Sequence, residues 1–196
     1  MSRVEDDLAA FAALLRKWNA AQNLVSRETV GALWPRHIAD SLQVLPLLRP
    51  QDSVILDLGS GGGFPALPLA IASRGTGRHF VLVEPNARKA AFLRAASRDL
   101  QLDAEVRAVR AEALDSRETF PCITSRALAA LPALLALATP LLAPKGHMVL
   151  HKGRNYRQEL DAAAQHFAFD VLVHPSETDA EGVLLELSAV QAKSAL

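Results

Sequence analysis

A glycine-rich turn between an apolar segment and a proline constrains this chain more than any other feature. Val54–Leu58 contains four apolar residues and one acid, Asp57, which is typical of a short buried strand. Four of the five residues at 59–63 are glycine, and Pro65 then suits the first turn of a helix. Glycines let the backbone approach a ligand closely, and the start of a helix offers free N–H groups. The order of strand, loop and helix predicts an α/β fold with a ligand site at this turn.

The acid before the loop indicates which ligand the turn binds. Asp57 stands two residues before Gly59, so its negative charge would repel a diphosphate and attract a cation. This favours the sulfonium cofactor S-adenosylmethionine over a dinucleotide. The looser dinucleotide pattern G-x-G-x-x-A is nevertheless met by Gly61, Gly63 and Ala66. An NAD(P)-dependent oxidoreductase therefore stays open as an alternative.

The order of predicted elements gives the fold class. An apolar stripe predicts a helix over 3–22, and two short helices follow at 27–34 and 35–48. We assign residues 1–48 to an N-terminal helical extension and 49–196 to a single Rossmann-like domain. Strands are predicted at 53–58, 79–84, 104–109, 121–125, 147–151, 169–174 and 182–190, and helices between them at 65–74, 86–101, 130–143 and 154–167.

The spacing of the last two strands fixes their direction. Only residues 175–181 separate them, too few for a crossover helix, so they pair antiparallel. A mostly parallel seven-stranded sheet with an antiparallel last strand is typical of the Rossmann-like class I S-adenosylmethionine-dependent methyltransferase fold.

Composition indicates a soluble protein of the cytoplasm. The chain has 21 basic and 21 acidic residues, so its net charge of zero does not indicate a nucleic-acid partner. Cys122 is its one cysteine, which excludes an internal disulfide and favours a reducing compartment. The N-terminus lacks the apolar core of a secretory signal. The longest apolar run, 127–143, is interrupted by Pro132 and Pro140, so we expect no membrane partner.

Candidate cofactor ligands follow from where strands end. Ligands of open α/β sheets lie beyond the carboxyl ends of the strands. Glu84 ends the second strand and could accept both ribose hydroxyls, while Ala111 and Glu112 could read the adenine edge. Arg126 ends the fourth strand and could bind the cofactor carboxylate, a phosphate or guanine O6. The predicted cofactor contacts are Asp57, Gly59, Gly61, Gly63, Phe64, Glu84, Ala111, Glu112 and Arg126.

Motifs spread over residues 18–153 resemble those of the small-subunit ribosomal RNA methyltransferase G family, also called glucose-inhibited division protein B. The most specific are Arg-His-x-x-Asp-Ser at 36–41 and Ser-Arg-Ala at 125–127. The other matching segments are Trp18-Asn19, Asn23-Leu24, the glycine loop through Phe64-Pro65, Arg88, Phe92-Leu93, Ala111-Glu112 and Lys152-Gly153.

The resemblance implies an activity and a partner. It implies methyl transfer from S-adenosylmethionine to N7 of one guanine in the decoding-region loop of 16S rRNA. It also implies cofactor contacts at Gly59, Phe64, Ala111, Glu112 and Arg126. The expected partner is 16S rRNA, a small ribosomal subunit or an assembly intermediate of that subunit, with no stable protein partner.

The absence of an acid–base pair near these motifs suits that reaction. Guanine N7 has a free lone pair and no proton to lose, so positioning can supply most of the acceleration. We predict catalytic roles for Arg126, His37 and Lys152. We predict RNA contacts at Arg36, His37, Lys152 and Arg154. A non-catalytic RNA-binding assembly factor remains a third interpretation of the chain.

Two further residue patterns are assigned no chemistry. His147 and His151 are four residues apart on a predicted strand, about 13 Å, which is too far for one metal ion. No other His or Cys cluster has metal-ligand spacing, so no metal site is predicted. Cys122 follows Phe-Pro like a cytosine-C5 methyltransferase nucleophile, but its polar upstream segment favours a small buried core residue.

Overall fold

The computed structural model describes residues 3–26 and 28–193. Its centre is one seven-stranded sheet in the order β3-β2-β1-β4-β5-β7-β6. The first five strands run parallel, and β7 pairs antiparallel with both β5 and β6. The strands are β1 Val54–Leu58, β2 His79–Val83, β3 Ala104–Arg107, β4 Phe120–Arg126, β5 Leu142–Lys152, β6 Phe167–Pro175 and β7 Val183–Ala192.

Helices cover both faces of the sheet. The α-helices are α1 Arg3–Gln22, α2 Asp40–Leu42, α3 Ala66–Ala72, α4 Ala87–Asp99, α5 Leu131–Ala138 and α6 Tyr156–His166. A π-helical stretch, Trp34–Ala39, runs directly into α2. The described residues also form four 3-10 turns, at Val30–Ala32, Leu45–Leu47, Ala111–Ala113 and Thr139–Leu141.

The sheet divides the core into two apolar layers. On one face α1, α3 and α4 pack together, and α5 and α6 cover the other face. Phe11 on α1 is fully buried, and its ring meets Phe64 of the glycine loop edge-on at 5.5 Å and Phe92 at 6.4 Å. The N-terminal helix therefore supports the loop directly.

The predicted fold class is confirmed, with differences at particular elements. The predicted helix 130–143 ends at Ala138, because Pro140 follows in a 3-10 turn. Strand β5 then begins at Leu142, five residues earlier than predicted, where Leu142 pairs with Phe120. The predicted helix 35–48 is broken into a π-helical stretch, α2 and a 3-10 turn containing Pro46.

The predicted helix 27–34 also differs. Its first residue, Arg27, lies outside the described residues, and the remainder contains only the 3-10 turn Val30–Ala32. Separately, within the described part of the chain, no helix has the length and apolar character that crossing a membrane requires.

Phe11→Ala tests the support that α1 gives to the loop. Removing a fully buried phenyl ring should lower the free energy of unfolding by about 3–5 kcal/mol, because a cavity opens beside Phe64 and Phe92. Urea unfolding measures this, with the exposed Lys17→Ala on the same helix expected within about 0.5 kcal/mol of the parent. Similar stabilities of the two variants would contradict the packing described.

Candidate functional site

The glycine loop lies between β1 and α3, and its backbone adopts conformations that residues with a side chain rarely adopt. Gly59 and Gly63 adopt φ values of +74° and +91°. A Cβ at Gly59 would lie 2.8 Å from Leu128 Cδ1, and one at Gly63 would lie 2.5 Å from Leu67 Cδ1. The positive φ favours glycine at both positions, and at Gly63 a side chain would also clash with the fully buried Leu67.

Glu84, at the end of β2, braces this loop. Its Oε2 accepts the Gly61 N–H at 2.9 Å, and its Oε1 accepts the Asn86 N–H at 2.8 Å. The residue is buried, at 6% exposure. A carboxylate offers about four lone-pair sites, so Glu84 retains acceptor capacity for ribose hydroxyls.

Asp57 is a fully buried carboxylate that the chain only half satisfies. Its Oδ1 accepts a hydrogen bond from Thr124 Oγ1 at 2.7 Å, while Oδ2 has no partner among the described residues. Burial raises the pKa of Asp57 to about 7, against the opposing effect of the hydrogen bonds it accepts. An orphaned buried acceptor of this kind fits a cationic ligand.

The glycine loop and Glu84 border a cavity of about 310 Å³, which we call the loop cavity, but the predicted cofactor contacts Asp57 and Gly63 are not part of its lining. Its lining comprises Leu24, Gly59, Ser60, Gly61, Gly62, Phe64, Glu84, Pro85, Lys89, Arg126, Ala127 and Leu128. Ala111 and Glu112 are not among these residues. They lie in the 3-10 turn after β3, and Glu112 is exposed.

Arg126 at the end of β4 forms three hydrogen bonds with residues of the N-terminal part of the chain. Its Nη1 donates to Asp40 Oδ2 at 3.0 Å and to the Arg36 carbonyl at 3.3 Å. Its Nη2 donates to His37 Nδ1 at 2.8 Å, and the guanidinium lies 4.9 Å from the centre of the Phe64 ring. Burial lowers the pKa of Arg126, and Asp40 opposes that shift.

His37 is held between Arg126 and Phe64. Its ring stacks on Phe64 with centroids 4.9 Å apart. Burial, with the nearby charge of Arg126, lowers the pKa of His37 to about 4, so the ring is neutral at pH 7. Arginine can only donate, so Nδ1 accepts and Nε2 carries the proton. The side chain lines neither cavity described here.

A second cavity, of about 460 Å³, opens on the other side of Arg126 and is called the acceptor cavity below. It shares Arg126, Ala127 and Leu128 with the loop cavity. The remaining lining comes from α2, β5, α6 and the loop between β6 and β7: Asp40, Ala129, Ala130, His151, Lys152, Gly153, Glu159, Ser176, Asp179, Gly182 and Val183.

The side chains of the predicted RNA-binding cations differ in solvent exposure. Lys152 is buried at 7% side-chain exposure, and its Nζ donates to the Ala129 carbonyl at 2.7 Å and to Glu159 Oε2 at 2.8 Å. Arg36 and Arg154 are 49% and 72% exposed, in ion pairs with Asp179 at 3.7 Å and Glu181 at 2.8 Å. Only the latter two cations are presented at the surface.

Some functional residues were missed by sequence reasoning. Leu128, Thr124 and Glu159 contact Gly59, Asp57 and Lys152 respectively, yet no motif singles them out. Each belongs to a different element from its partner, so the signal lies in tertiary contacts. Within the Arg-His-x-x-Asp-Ser motif, Ser41 Oγ donates to the His37 carbonyl at 2.6 Å.

A buried cluster also lies towards the amino ends of the strands. Asp52, Cys122 and His147 bring potential metal-ligand atoms within 4.8 Å of one another, a grouping that sequence spacing did not reveal. His147 Nε2 is hydrogen-bonded to Asp52 Oδ2 at 2.8 Å. Cys122 is buried and its thiol pKa is raised by burial, which fits a core residue better than a nucleophile.

Asp57→Asn tests the buried carboxylate. In the cofactor-free chain the raised pKa of Asp57 contributes stability that is present below about pH 4 and lost as the pH rises through about 7. The free energy of unfolding should therefore depend less on pH between 4.5 and 8 in Asp57→Asn than in the parent. Urea denaturation across that range measures the slope.

An exposed acid provides the control for this test. Asp170→Asn on β6 changes the same chemistry at the surface and should leave the slope unchanged. If Asp57→Asn keeps the parent slope as well, the raised pKa is contradicted.

Comparisons with known proteins agree with this geometry. A family profile described as rRNA small subunit methyltransferase G matches residues 4–182. The chain is similar to proteins named ribosomal RNA small subunit methyltransferase G. The Cereibacter sphaeroides protein is 46% identical over 94% of this chain and 90% of its own length. The Acidiphilium cryptum protein is 47% identical over 94% of this chain and 84% of its own length. The Brucella ovis protein is 42% identical over 96% of this chain and 89% of its own length.

Solved structures show the same architecture. A T. thermophilus 16S rRNA N2 methyltransferase in complex with AdoMet and guanosine is 25% identical, with a TM-score of 0.57 over 76% of this chain and 42% of that one. A putative O-methyltransferase from Klebsiella pneumoniae is 14% identical, with a TM-score of 0.61 over 93% and 89%. By the profile match and the identity to full-length relatives, this chain belongs to the rRNA small subunit methyltransferase G family.

Proposed function

We propose that this chain transfers a methyl group from S-adenosylmethionine to N7 of a guanine in the decoding-region loop of 16S rRNA. The observation that carries the proposal is the junction at Arg126, where the loop cavity and the acceptor cavity meet. A methyl donor on one side of this junction and a nucleobase on the other would be adjacent. Family membership supplies the class of substrate.

The loop cavity suits S-adenosylmethionine. Its glycine turn admits a ligand close to the backbone. On the adjoining strand β1, Asp57 does not line the cavity, but its buried Oδ2 is an acceptor without a partner among the described residues. Glu84 retains lone pairs for ribose hydroxyls while it holds the loop. When bound, the cofactor supplies a methyl group activated by the positive charge of its sulfur.

Arg126 is the residue that we assign to the cofactor carboxylate. Three of its hydrogen bonds go to Asp40, His37 and the Arg36 carbonyl, so two of its five N–H groups remain for a ligand. Charged hydrogen bonds to a carboxylate are among the strongest that a site can offer. Phe64, beneath the guanidinium, limits its movement.

The site has the chemistry that N7 transfer requires. Guanine N7 accepts a methyl group with its lone pair and releases no proton, so no general base is needed. His37 is neutral at pH 7, and its Nδ1 is occupied by Arg126, so it is unsuited to removing a proton. We propose that His37 acts by holding Arg126 and Phe64, and Lys152 by holding Glu159 and the Ala129 carbonyl in the wall of the acceptor cavity.

RNA attraction is proposed to be local, because the net charge of the chain is zero. Arg36 and Arg154 lie near the acceptor cavity in exposed ion pairs with residues of the loop between β6 and β7. Exposed ion pairs are weak, at about 0–1 kcal/mol, so RNA phosphates can replace the carboxylates. An rRNA substrate and a single buried cysteine both support a cytoplasmic location.

Two interpretations raised by the sequence compete with this proposal. The dinucleotide alternative receives no support from the comparisons, whose reported relatives are methyltransferases. The proposal of a non-catalytic assembly factor is opposed by the intact glycine loop and by Asp57. Both alternatives predict that no methyl group is transferred.

The experiment that tests the proposed function is methyl mapping. Unmethylated 16S rRNA, both free and in small subunits, is incubated with the chain and S-adenosylmethionine labelled in its methyl group. Nuclease digestion and mass spectrometry should find the label as N7-methylguanosine at one decoding-region position. Label on an exocyclic amine, or no incorporation with either substrate, would contradict the proposal.

The double variant Arg36→Ala/Arg154→Ala tests the RNA surface. Loss of two phosphate contacts should make the slope of log affinity against log salt less steep by about 1.4–1.8. Fluorescence anisotropy with a labelled 16S rRNA fragment measures it. The control is Arg98→Ala/Arg117→Ala, two exposed arginines in equivalent local ion pairs that line neither cavity. Equal slopes for both double variants would exclude these contacts.

A further inference from the structure

Asp40 forms hydrogen bonds with several separate elements of the site, which the sequence motifs did not predict. It begins α2, and its carboxylate is almost buried, at 13% side-chain exposure. Its Oδ2 accepts from Arg126 Nη1 at 3.0 Å, and its Oδ1 accepts from Thr178 Oγ1 at 2.8 Å and Gln43 Nε2 at 3.2 Å. Its main-chain carbonyl lies 3.1 Å from His151 Nε2. One residue therefore contacts β4, β5 and the loop between β6 and β7.

The contact with Arg126 has an electrostatic reason. The Arg126 side chain is only 19% exposed, and an isolated cation at that depth would be strongly disfavoured. Among the described residues, Asp40 is the one carboxylate that forms an ion pair with it. Asp40 also raises the pKa of Arg126, against the effect of burial. The carboxylate thus both neutralises the guanidinium and determines which N–H groups stay free.

The Oδ1 atom of Asp40 is hydrogen-bonded to the loop between β6 and β7, which forms part of the acceptor cavity wall. Thr178 belongs to the loop at 176–182, and Ser176, Asp179 and Gly182 of that loop line the acceptor cavity. Gln43 links the same parts, donating to Ser176 Oγ at 3.3 Å and accepting the Glu177 N–H at 2.7 Å. Asp40 consequently lies between the wall that carries Arg126 and the wall formed by this loop.

We infer that Asp40 is a positioning residue for methyl transfer, which aims the free N–H groups of Arg126 at the cofactor carboxylate. The inference rests on the proposed function, in which Arg126 binds that carboxylate. It gives the π-helical stretch and α2 a direct part in the site. Without the Asp40 charge, the guanidinium loses its anchor on the side away from the cofactor, and its orientation is no longer determined.

Asp40→Asn is the test variant, because it keeps the size of the side chain and one acceptor oxygen while removing the charge. We expect S-adenosylmethionine to bind about 10- to 100-fold more weakly, as measured by isothermal titration calorimetry. Thr178→Ala is the matched control, since it removes a partner of Oδ1 and leaves the Arg126 contact intact. Its cofactor affinity should stay within about twofold of the parent.

A double-mutant cycle separates positioning from general structural support. Arg126→Ala should weaken cofactor binding at least as much as Asp40→Asn does. In the Arg126→Ala background, adding Asp40→Asn should cause no further loss of affinity. A purely structural Asp40 would lower the affinity in both backgrounds, and that result would overturn the inference.

The proposed function and this inference fail in different ways. If Arg126→Ala weakens binding but Asp40→Asn does not, the positioning role is wrong and the cofactor role of Arg126 stands. If Arg126→Ala binds the cofactor like the parent, both roles are wrong, while methyl mapping still decides the activity. If Asp40→Asn unfolds, Asp40→Ser in the same cycle gives the coupling.

Discussion

The neutralisation of a buried guanidinium is the interaction on which this site depends. Arg126 extends from the end of β4 into a region where a lone cation would be unstable, and Asp40, His37 and the Arg36 carbonyl surround it. All three partners come from the N-terminal part of the chain. The packing of the N-terminal segment against the sheet is thus tied to the chemistry of the site.

A second electrostatic feature is a buried carboxylate on β1, just before the glycine loop. The side chain of Asp57 is a buried carboxyl group, one of whose oxygens has no hydrogen-bond partner among the described residues. Burial raises the pKa of this carboxyl group to about 7. A cationic ligand near that oxygen would favour the ionised form. The loop cavity therefore combines a bracing acid at Glu84 with a partly free arginine, and the half-satisfied Asp57 lies on the adjoining strand β1. This combination suits a zwitterionic ligand with ribose hydroxyls better than a diphosphate.

Much of the fold was predictable because local signals agreed with the tertiary structure. The apolar stripe predicted α1, and the glycine loop predicted the β1–α3 turn. The start of β5 was not predictable, since Leu142 becomes a strand residue by pairing with Phe120 on a distant segment. The breaks in the helix at 35–48 were not predicted either. Pro46 lies in the final 3-10 turn of that segment, and Asp40 contacts Arg126 and the loop at 176–182.

The sequence predicted which residues belong to the candidate site, but it did not predict the hydrogen bonds that connect them. Spacing placed Asp57, Glu84 and Arg126 at strand ends, but the partners of Arg126 lie 86–90 residues away in sequence. The engagement of Lys152 by Glu159 and the grouping of Asp52, Cys122 and His147 likewise depend on elements that meet only in the folded chain.

A crystal structure of the chain with S-adenosylhomocysteine would show whether Arg126 and Glu84 hold the cofactor in the loop cavity. We expect the ribose beside Glu84, the amino group on the Asp57 side of the glycine loop and the carboxylate hydrogen-bonded to Arg126. A ligand bound elsewhere, or one in the loop cavity whose carboxylate avoids Arg126, would contradict this expectation.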